Sequence, residues 1–328
     1  MKQEIDMIKV VLAGNYPANT YEAVRKALPE ERFEVIRVDT EEAYKTMTDA
    51  EIMILRVFKA PREVIERNRN LKMIMRWGAG YDSVDTGAAA EHGVLVTNTP
   101  GANAAAVSEL SVLLMLAVGR KLLCHTESLG RGNWSKNTFI NDSVSLNHKL
   151  VGIVGGGNIG RQVAKRVQSF GTEVQYYDTF RLSPEMEEEY RMKYVSFDTL
   201  LETSDIISLH IPLTDSNHHM IGGEEIARMK DGAILINAAR GGLVDDRALA
   251  AAVACGKLRG AGLDCVEQEP LPQGHELLEN PNIVVTPHVG GGTADIGETI
   301  IPMLVKNIVD FADGKEPEHV VHTVPCGR

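Results

Sequence analysis

The chain has 328 residues, about twice the roughly 150 typical of one domain, which excludes a single small module and predicts two packed units. Hydrophobic residues make up 44% and charged residues 24%, so there is apolar surface enough for a core and no case for wholesale disorder. Lys and Arg number 34 against 45 Asp and Glu, a formal charge of -11, which argues against a surface built to hold nucleic acid.

The opening MKQEIDMIKV carries acids where an export signal needs an apolar run. The longest apolar stretch, residues 112–118, is far short of the roughly 20 that span a bilayer. Cys124, Cys255, Cys265 and Cys326 are scattered without a C-x-x-C pair and read as reduced thiols. A soluble cytoplasmic protein, with no membrane partner, is the expectation.

In chain order, residues 10–13, 33–38, 52–55, 73–75 and 94–96 read as strands, with helices predicted between them at 21–28 and 61–67. That alternation predicts a parallel α/β sheet. Residues 103–123, with Leu110, Leu113, Leu114, Ala117 and Leu122 on a wide face, read as one long buried helix where the chain crosses between units. A second strand series follows at 150–154, 173–177, 206–210, 233–237, 260–264 and 283–286, a second doubly wound sheet. The last helix, 299–312, leaves too little chain for a third domain. The expected layout returns 291–328 to the unit built by 1–102, with 103–290 inserted between them.

In LVGIVGGGNIGRQVAKRV, Gly155, Gly157 and Gly160 have G-x-G-x-x-G spacing directly after a strand and at the opening of a helix. The first glycine permits a tight turn, the second lets backbone approach a pyrophosphate, and the third lets helix pack on strand. Asp178 ends the next strand about 20 residues on, where a carboxylate accepts bonds from a ribose diol and repels a 2′-phosphate. The pattern predicts NAD rather than NADP; Arg181 is the nearby residue able to soften that preference.

Three later segments lie at strand ends: NAARGGLVDD with Arg240, GLDCVEQEPLP with Asp264 and Glu269, and TPHVGGGT with His288. Ligands of a doubly wound sheet bind outside the carboxyl ends of its strands, so these side chains converge there. Hydride transfer to a 2-oxo acid needs a forked cation for the carboxylate, a proton donor for the new hydroxyl, and a group that keeps the donor charged. Arg240, His288 and Glu269 supply those three. In RWGAGYD, the glycine-rich turn at a strand end offers the backbone amides of Gly78, Ala79 and Gly80 to a substrate carboxylate. His218 and His219 read as loop residues, and no metal-ligand spacing is present.

RWGAGYDSVD, NTPGANAAAVSEL, VGIVGGGNIGR, HIPLT, INAARGGLVDD, GLDCVEQEPLP and TPHVGG, in this order, resemble the D-isomer-specific 2-hydroxyacid dehydrogenase family, which includes D-3-phosphoglycerate dehydrogenase and the glycerate and glyoxylate reductases. The resemblance implies a Rossmann NAD-binding domain inserted into a flavodoxin-like substrate domain, and a homodimer made through the cofactor domain. It implies Arg240 as the substrate-binding residue, His288 as acid and base, and Glu269 as its partner. It further implies Ala79, Asn158, Ile159, Asp178, His210, Ile211, Pro212, Ala238, Ala239, Asp264 and Gly290 as cofactor neighbours beside the three glycines. The implied substrate is a small 2-hydroxy or 2-oxo acid, with D-3-phosphoglycerate, glycerate, hydroxypyruvate and glyoxylate as the range.

Arg56 and Lys136 match positions where phosphoglycerate enzymes carry basic residues, although Val57 and Phe58 replace the small polar residues usual after that Arg. Trp77 departs from the small residue commoner at its position and bears on the size of the pocket. Two alternatives share the fold: an NADH-sensing corepressor, and formate or phosphite dehydrogenase. The formate branch has Gln where Glu269 stands here, and a neutral amide would not keep His288 charged.

Overall fold

A computed structural model describes residues 7–321, and the chain divides into two units, Met1–Asn103 with Gly291–Arg328, and Ala104–Gly290. Cys326 lies outside the described residues; Cys124, Cys255 and Cys265 are free thiols.

In the first unit the strands are β1 (Ile8–Ala13), β2 (Phe33–Val38), β3 (Ile52–Leu55), β4 (Met73–Arg76) and β5 (Leu95–Thr97), all parallel, in the order β2-β1-β3-β4-β5. Side chains alternate across a pleated strand, so Val11, Ala13, Met53, Leu55 and Ile74 enter one core while Val10, Leu12, Ile52, Ile54 and Met73 enter another. The second core is closed by Ile300, Leu304 and Ile308 of the helix Gly297–Ala312. Every residue of β3 is buried, because both faces of the sheet are covered. That is why such strands read in the sequence as unbroken apolar runs. Trp77 belongs to this second core, edge-on to Tyr16 at 5.1 Å between ring centroids.

In the second unit β6 (Leu150–Val154), β7 (Glu173–Tyr177), β8 (Lys193–Tyr194), β9 (Ile206–Leu209), β10 (Ala233–Asn237), β11 (Leu258–Leu263) and β12 (Ile283–Val285) form a parallel sheet in the order β12-β11-β10-β9-β6-β7-β8. The chain builds outward from β6 to β7 and β8, then returns through β9 to build the other side. The order therefore reverses between β6 and β9, the switch point at which doubly wound sheets bind ligands. The edge strand β8, only two residues long, left no run for the sequence to reveal.

The single helix expected over 103–123 is instead two, Ala104–Gly119 and Leu122–Gly130. Lys121 separates them in the left-handed region at φ 53°. Its buried side chain donates to the Arg259 carbonyl at 2.9 Å and to Asn282 Oδ1 at 2.8 Å. Apolar residues recur on both sides of this break, so periodicity alone carries no sign of it. Among the described residues no helix is long and apolar enough to cross a membrane.

Candidate active site

The turn after β6 is built by steric necessity. A Cβ on Gly155, which sits at φ 105°, would fall 2.5 Å from the His210 carbonyl oxygen, and one on Gly160 would fall 1.9 Å from the Gly155 oxygen. A Cβ on Gly157 would meet nothing within 4 Å, so the turn is open there, at the N-terminus of the ten-residue helix Asn158–Val167. An anion at this point meets amide donors and the positive end of the helix dipole. Asn158 is exposed and Ile159 half-buried beside the opening. Asp178, half-buried just past β7, accepts from the Gly156 amide at 2.7 Å and from the Phe180 amide at 3.1 Å, which fixes its carboxylate at the rim of the turn. Arg181 is engaged elsewhere: its Nε and Nη2 pair with the two oxygens of Glu187 at 2.8 and 2.9 Å. A dinucleotide's pyrophosphate and ribose diol fit these groups.

Ala238 and Ala239 are buried where the chain leaves β10, and Asn237 ties that turn by accepting from the Ala239 amide and donating to the Arg240 carbonyl. Arg240 is half-buried with Nη1 on the Ala239 carbonyl at 2.7 Å. His210 follows β9, with Ile211 half-buried and Pro212 exposed after it. Desolvation pushes the His210 imidazole down to about 3, so it is neutral; Nε2 lies 2.8 Å from the Ser208 hydroxyl.

Asp264, 2% exposed, is the clamp of the next segment. Its Oδ1 accepts from the Thr286 hydroxyl at 2.7 Å and the Val289 amide at 2.8 Å, and its Oδ2 accepts from the Gly290 amide at 2.8 Å. These bonds fasten the loop after β12, and His288 rides on it at φ 53° with its amide on the Asp264 carbonyl at 2.9 Å. Glu269 reaches the same place from the loop after β11, and its Oε2 lies 2.8 Å from His288 Nδ1. The Cys265 sulfur and the Glu269 carboxylate against the ring outweigh burial and push His288 up to about 10. Burial works against the Glu269 carboxylate, but the bond to His288, that ring's charge, the Val266 amide and the Arg240 charge outweigh it and hold the group below its ordinary value. The pair is thus an imidazolium beside a carboxylate through the neutral range.

Folding also gathers side chains that spacing did not connect. His218, His219 and Glu267 form one cluster and Cys265, Glu269 and His288 another, with the candidate metal-ligand atoms of each within 4.8 Å of one another. Each cluster joins residues of two loops, so spacing within either loop carried no sign of it. Cys265 went unmarked in the sequence for the same reason: its only signal is its place just past the end of β11.

In the first unit, the turn after β4 departs from the expectation of three free amides. Gly78, at φ 130°, donates its amide to Thr99 Oγ1 at 2.9 Å, so this donor is already used. The amides of Ala79 and Gly80 have no protein acceptor among the described residues. The carbonyls on this turn are held in place: Ala79 accepts from Asn98 Nδ2 at 2.6 Å and Gly80 from Arg76 Nε at 3.0 Å. Trp77 is turned into the core, 7% exposed, so its bulk fills the interior of the unit. Arg56 is half-buried and donates to the Asn15 carbonyl. Lys136 is exposed in the second unit, in the loop between the helix Leu122–Gly130 and β6.

A family model described as D-isomer specific 2-hydroxyacid dehydrogenase, NAD binding domain, matches residues 112–290. A hydroxypyruvate reductase from Thermotoga maritima is 40% identical over 88% of this chain and 94% of its own length. A glyoxylate reductase from Thermococcus litoralis is 41% identical over 80% of this chain and 81% of its own. Among solved structures, the holo form of D-mandelate dehydrogenase from Rhodotorula graminis superposes with a TM-score of 0.85 at 28% identity, covering 98% of this chain and 99% of that one. The open glycine turn with its fixed carboxylate, and these matches along most of the sequence, lead to one conclusion: the chain belongs to the D-isomer-specific 2-hydroxyacid dehydrogenases and is an NAD-dependent oxidoreductase.

Proposed function

We propose that the protein interconverts a small unphosphorylated 2-oxo acid, of the glyoxylate and hydroxypyruvate class, with its D-2-hydroxy acid. The observation that carries the chemistry is the 2.8 Å contact between His288 Nδ1 and Glu269 Oε2. The named activities of the two reductases described above support the substrate class. The phosphoglycerate reading draws less support, since the Arg56 guanidinium is engaged by the Asn15 carbonyl.

When bound, the nicotinamide gives or takes the hydride. The Arg240 guanidinium pairs with the substrate carboxylate and polarises the adjacent carbonyl, which a forked cation does better than a point charge. His288, its Nδ1 held by Glu269, carries the proton at Nε2 and delivers it to the oxygen that becomes hydroxyl. In oxidation the neutral ring takes that proton back. In the first unit, the amides of Ala79 and Gly80 are donors for an acid's carboxylate. Residues 103–290 serve the cofactor, and 1–102 with 291–328 serve the substrate. Leu113, Leu122, Leu129 and Trp134, all exposed, support a homodimer formed through the second unit. The cytoplasm is the compartment this reading assigns, and nucleic acid is not a partner.

The test is a panel of 2-oxo acids with NADH and NADPH, read as kcat/KM. Glyoxylate or hydroxypyruvate with NADH should lead. A preference for 3-phosphohydroxypyruvate would overturn the substrate class, and no turnover with any 2-oxo acid would overturn the roles of His288 and Arg240.

A further inference from the structure

The cluster of Cys265, Glu269 and His288 combines a soft sulfur donor, a carboxylate and an imidazole, all within 4.8 Å of one another. Zinc(II) bonds sulfur at about 2.3 Å and nitrogen or oxygen at about 2.0–2.1 Å, so donors around a tetrahedral zinc stand about 3.3–3.6 Å apart. To reach that spacing, donors that lie within 4.8 Å of one another must draw in by up to about 1.5 Å through side-chain rotations. Glu269 and His288 are free to make them, with side chains 39% and 47% exposed. Cys265 is the fixed member, 1% exposed, with its thiol 3.4 Å from the Ala239 carbonyl. Three protein donors, two of them open to solvent, leave the fourth position to water, as in zinc sites that are not closed by protein. A thiolate and an imidazole select zinc, cobalt or cadmium over magnesium or calcium.

We propose that Cys265, Glu269 and His288 form a zinc(II) site whose occupation stops turnover. Binding requires the thiolate and the neutral ring, so the metal displaces one proton from Cys265 and one from His288. The +2 charge then meets two negative donors, Cys265 and Glu269, and the complex is neutral. Arg240 on one side opposes the metal and Asp264 attracts it, while burial and the Asp264 charge hold the Cys265 thiol above its ordinary value, a cost the metal's charge must offset. Inhibition follows because a ring with one nitrogen on the metal can no longer cycle between imidazole and imidazolium, and because Glu269 leaves the ring for the metal. This second half rests on the reading of His288 as proton carrier; the binding half does not.

The experiment pairs two readouts on the full chain stripped with a chelator. Cobalt(II) titration should give a thiolate-to-cobalt charge-transfer band in the near ultraviolet that zinc(II) abolishes by competition. Reduction of a 2-oxo acid with NADH should fall with added zinc(II) and recover on chelation. Removing a direct donor should weaken metal binding by at least about tenfold, so Cys265→Val and Cys265→Ser, each compared with its own metal-free rate, should need that much more zinc. Both should also lose the band. The paired substitution His218→Asn with His219→Asn tests the neighbouring cluster and should leave the band and the zinc sensitivity in place. A band that survives Cys265→Ser, or zinc sensitivity that follows His218 and His219, overturns the site. A band without loss of rate keeps the binding site, but overturns the inhibition and His288 as the proton carrier.

Discussion

The turn after β6 and the edge formed by Asp264, Glu269 and His288 both serve the same end of one sheet, yet they are held by different physics. In the turn, the decisive contacts are ones that only missing side chains permit, between Gly160 and the Gly155 oxygen five residues back and between Gly155 and the His210 oxygen on β9's far end. At the edge, the contacts join residues 19 to 26 apart, and they are charged hydrogen bonds between side chains and a distant loop. Glycine spacing therefore marks the first arrangement in the sequence, although His210 arrives from a distant strand, whereas nothing in the spacing marks the second, which exists only after β11 and β12 have paired. One is broken by adding an atom, the other by removing a charge.

The largest expected effect is at the edge. His288→Ala removes the proton carrier, and the rate should fall by about 10²–10⁴-fold in both directions, since general acid–base catalysis contributes on that order. Single-turnover rates with NADH check this, with binding of NADH, a function of the turn, left in place. In the turn, Gly160→Ala puts a Cβ 1.9 Å from a backbone oxygen, so the helix Asn158–Val167 must move off β6. A loss of about 3 kcal/mol in urea-unfolding stability, with weaker NADH binding by fluorescence, is expected.

Asp264→Asn asks whether the clamp works by shape or by charge. An amide keeps the size but turns one acceptor into a donor facing the Gly290 or the Val289 amide. Denaturant midpoints should show a loss of about 2 kcal/mol, and activity should fall further than NADH affinity because the His288 loop is released. Equal losses in both would move Asp264 into direct cofactor contact.

Glu269→Gln separates proton affinity from position. His288 is raised above its ordinary 6.5 by Cys265 and Glu269, so reduction, which needs the charged ring, should persist well above that pH in the parent protein. Without the carboxylate the alkaline limb should move to lower pH. The loss should be slight below the ordinary value and grow as pH rises, while oxidation shifts its profile to lower pH and survives. Superimposable reduction profiles would dissolve the pair. The smallest effect belongs to the turn: Asp178→Ser removes a negative charge at its rim and should narrow the NADH over NADPH preference by about tenfold, on the scale of one lost charged hydrogen bond. With the Arg181 guanidinium held by Glu187 and not turned to a 2′-phosphate, the preference should narrow without reversing.

The sequence by itself determined the alternation of strands and helices, the two sheets, and the glycine turn with Asp178. It did so because buried parallel strands must be continuous apolar runs and because a missing Cβ is a local property. It also carried Arg240, Glu269 and His288 as candidates, through their places at strand ends. Tertiary structure alone decided what those residues touch. Thr99 takes up the amide of Gly78, Trp77 turns inward, Lys121 breaks a helix that periodicity ran straight through, and Cys265 comes to rest against His288. Each of these depends on a partner far away in the chain, and the pattern of neighbouring residues holds no record of which distant group will arrive.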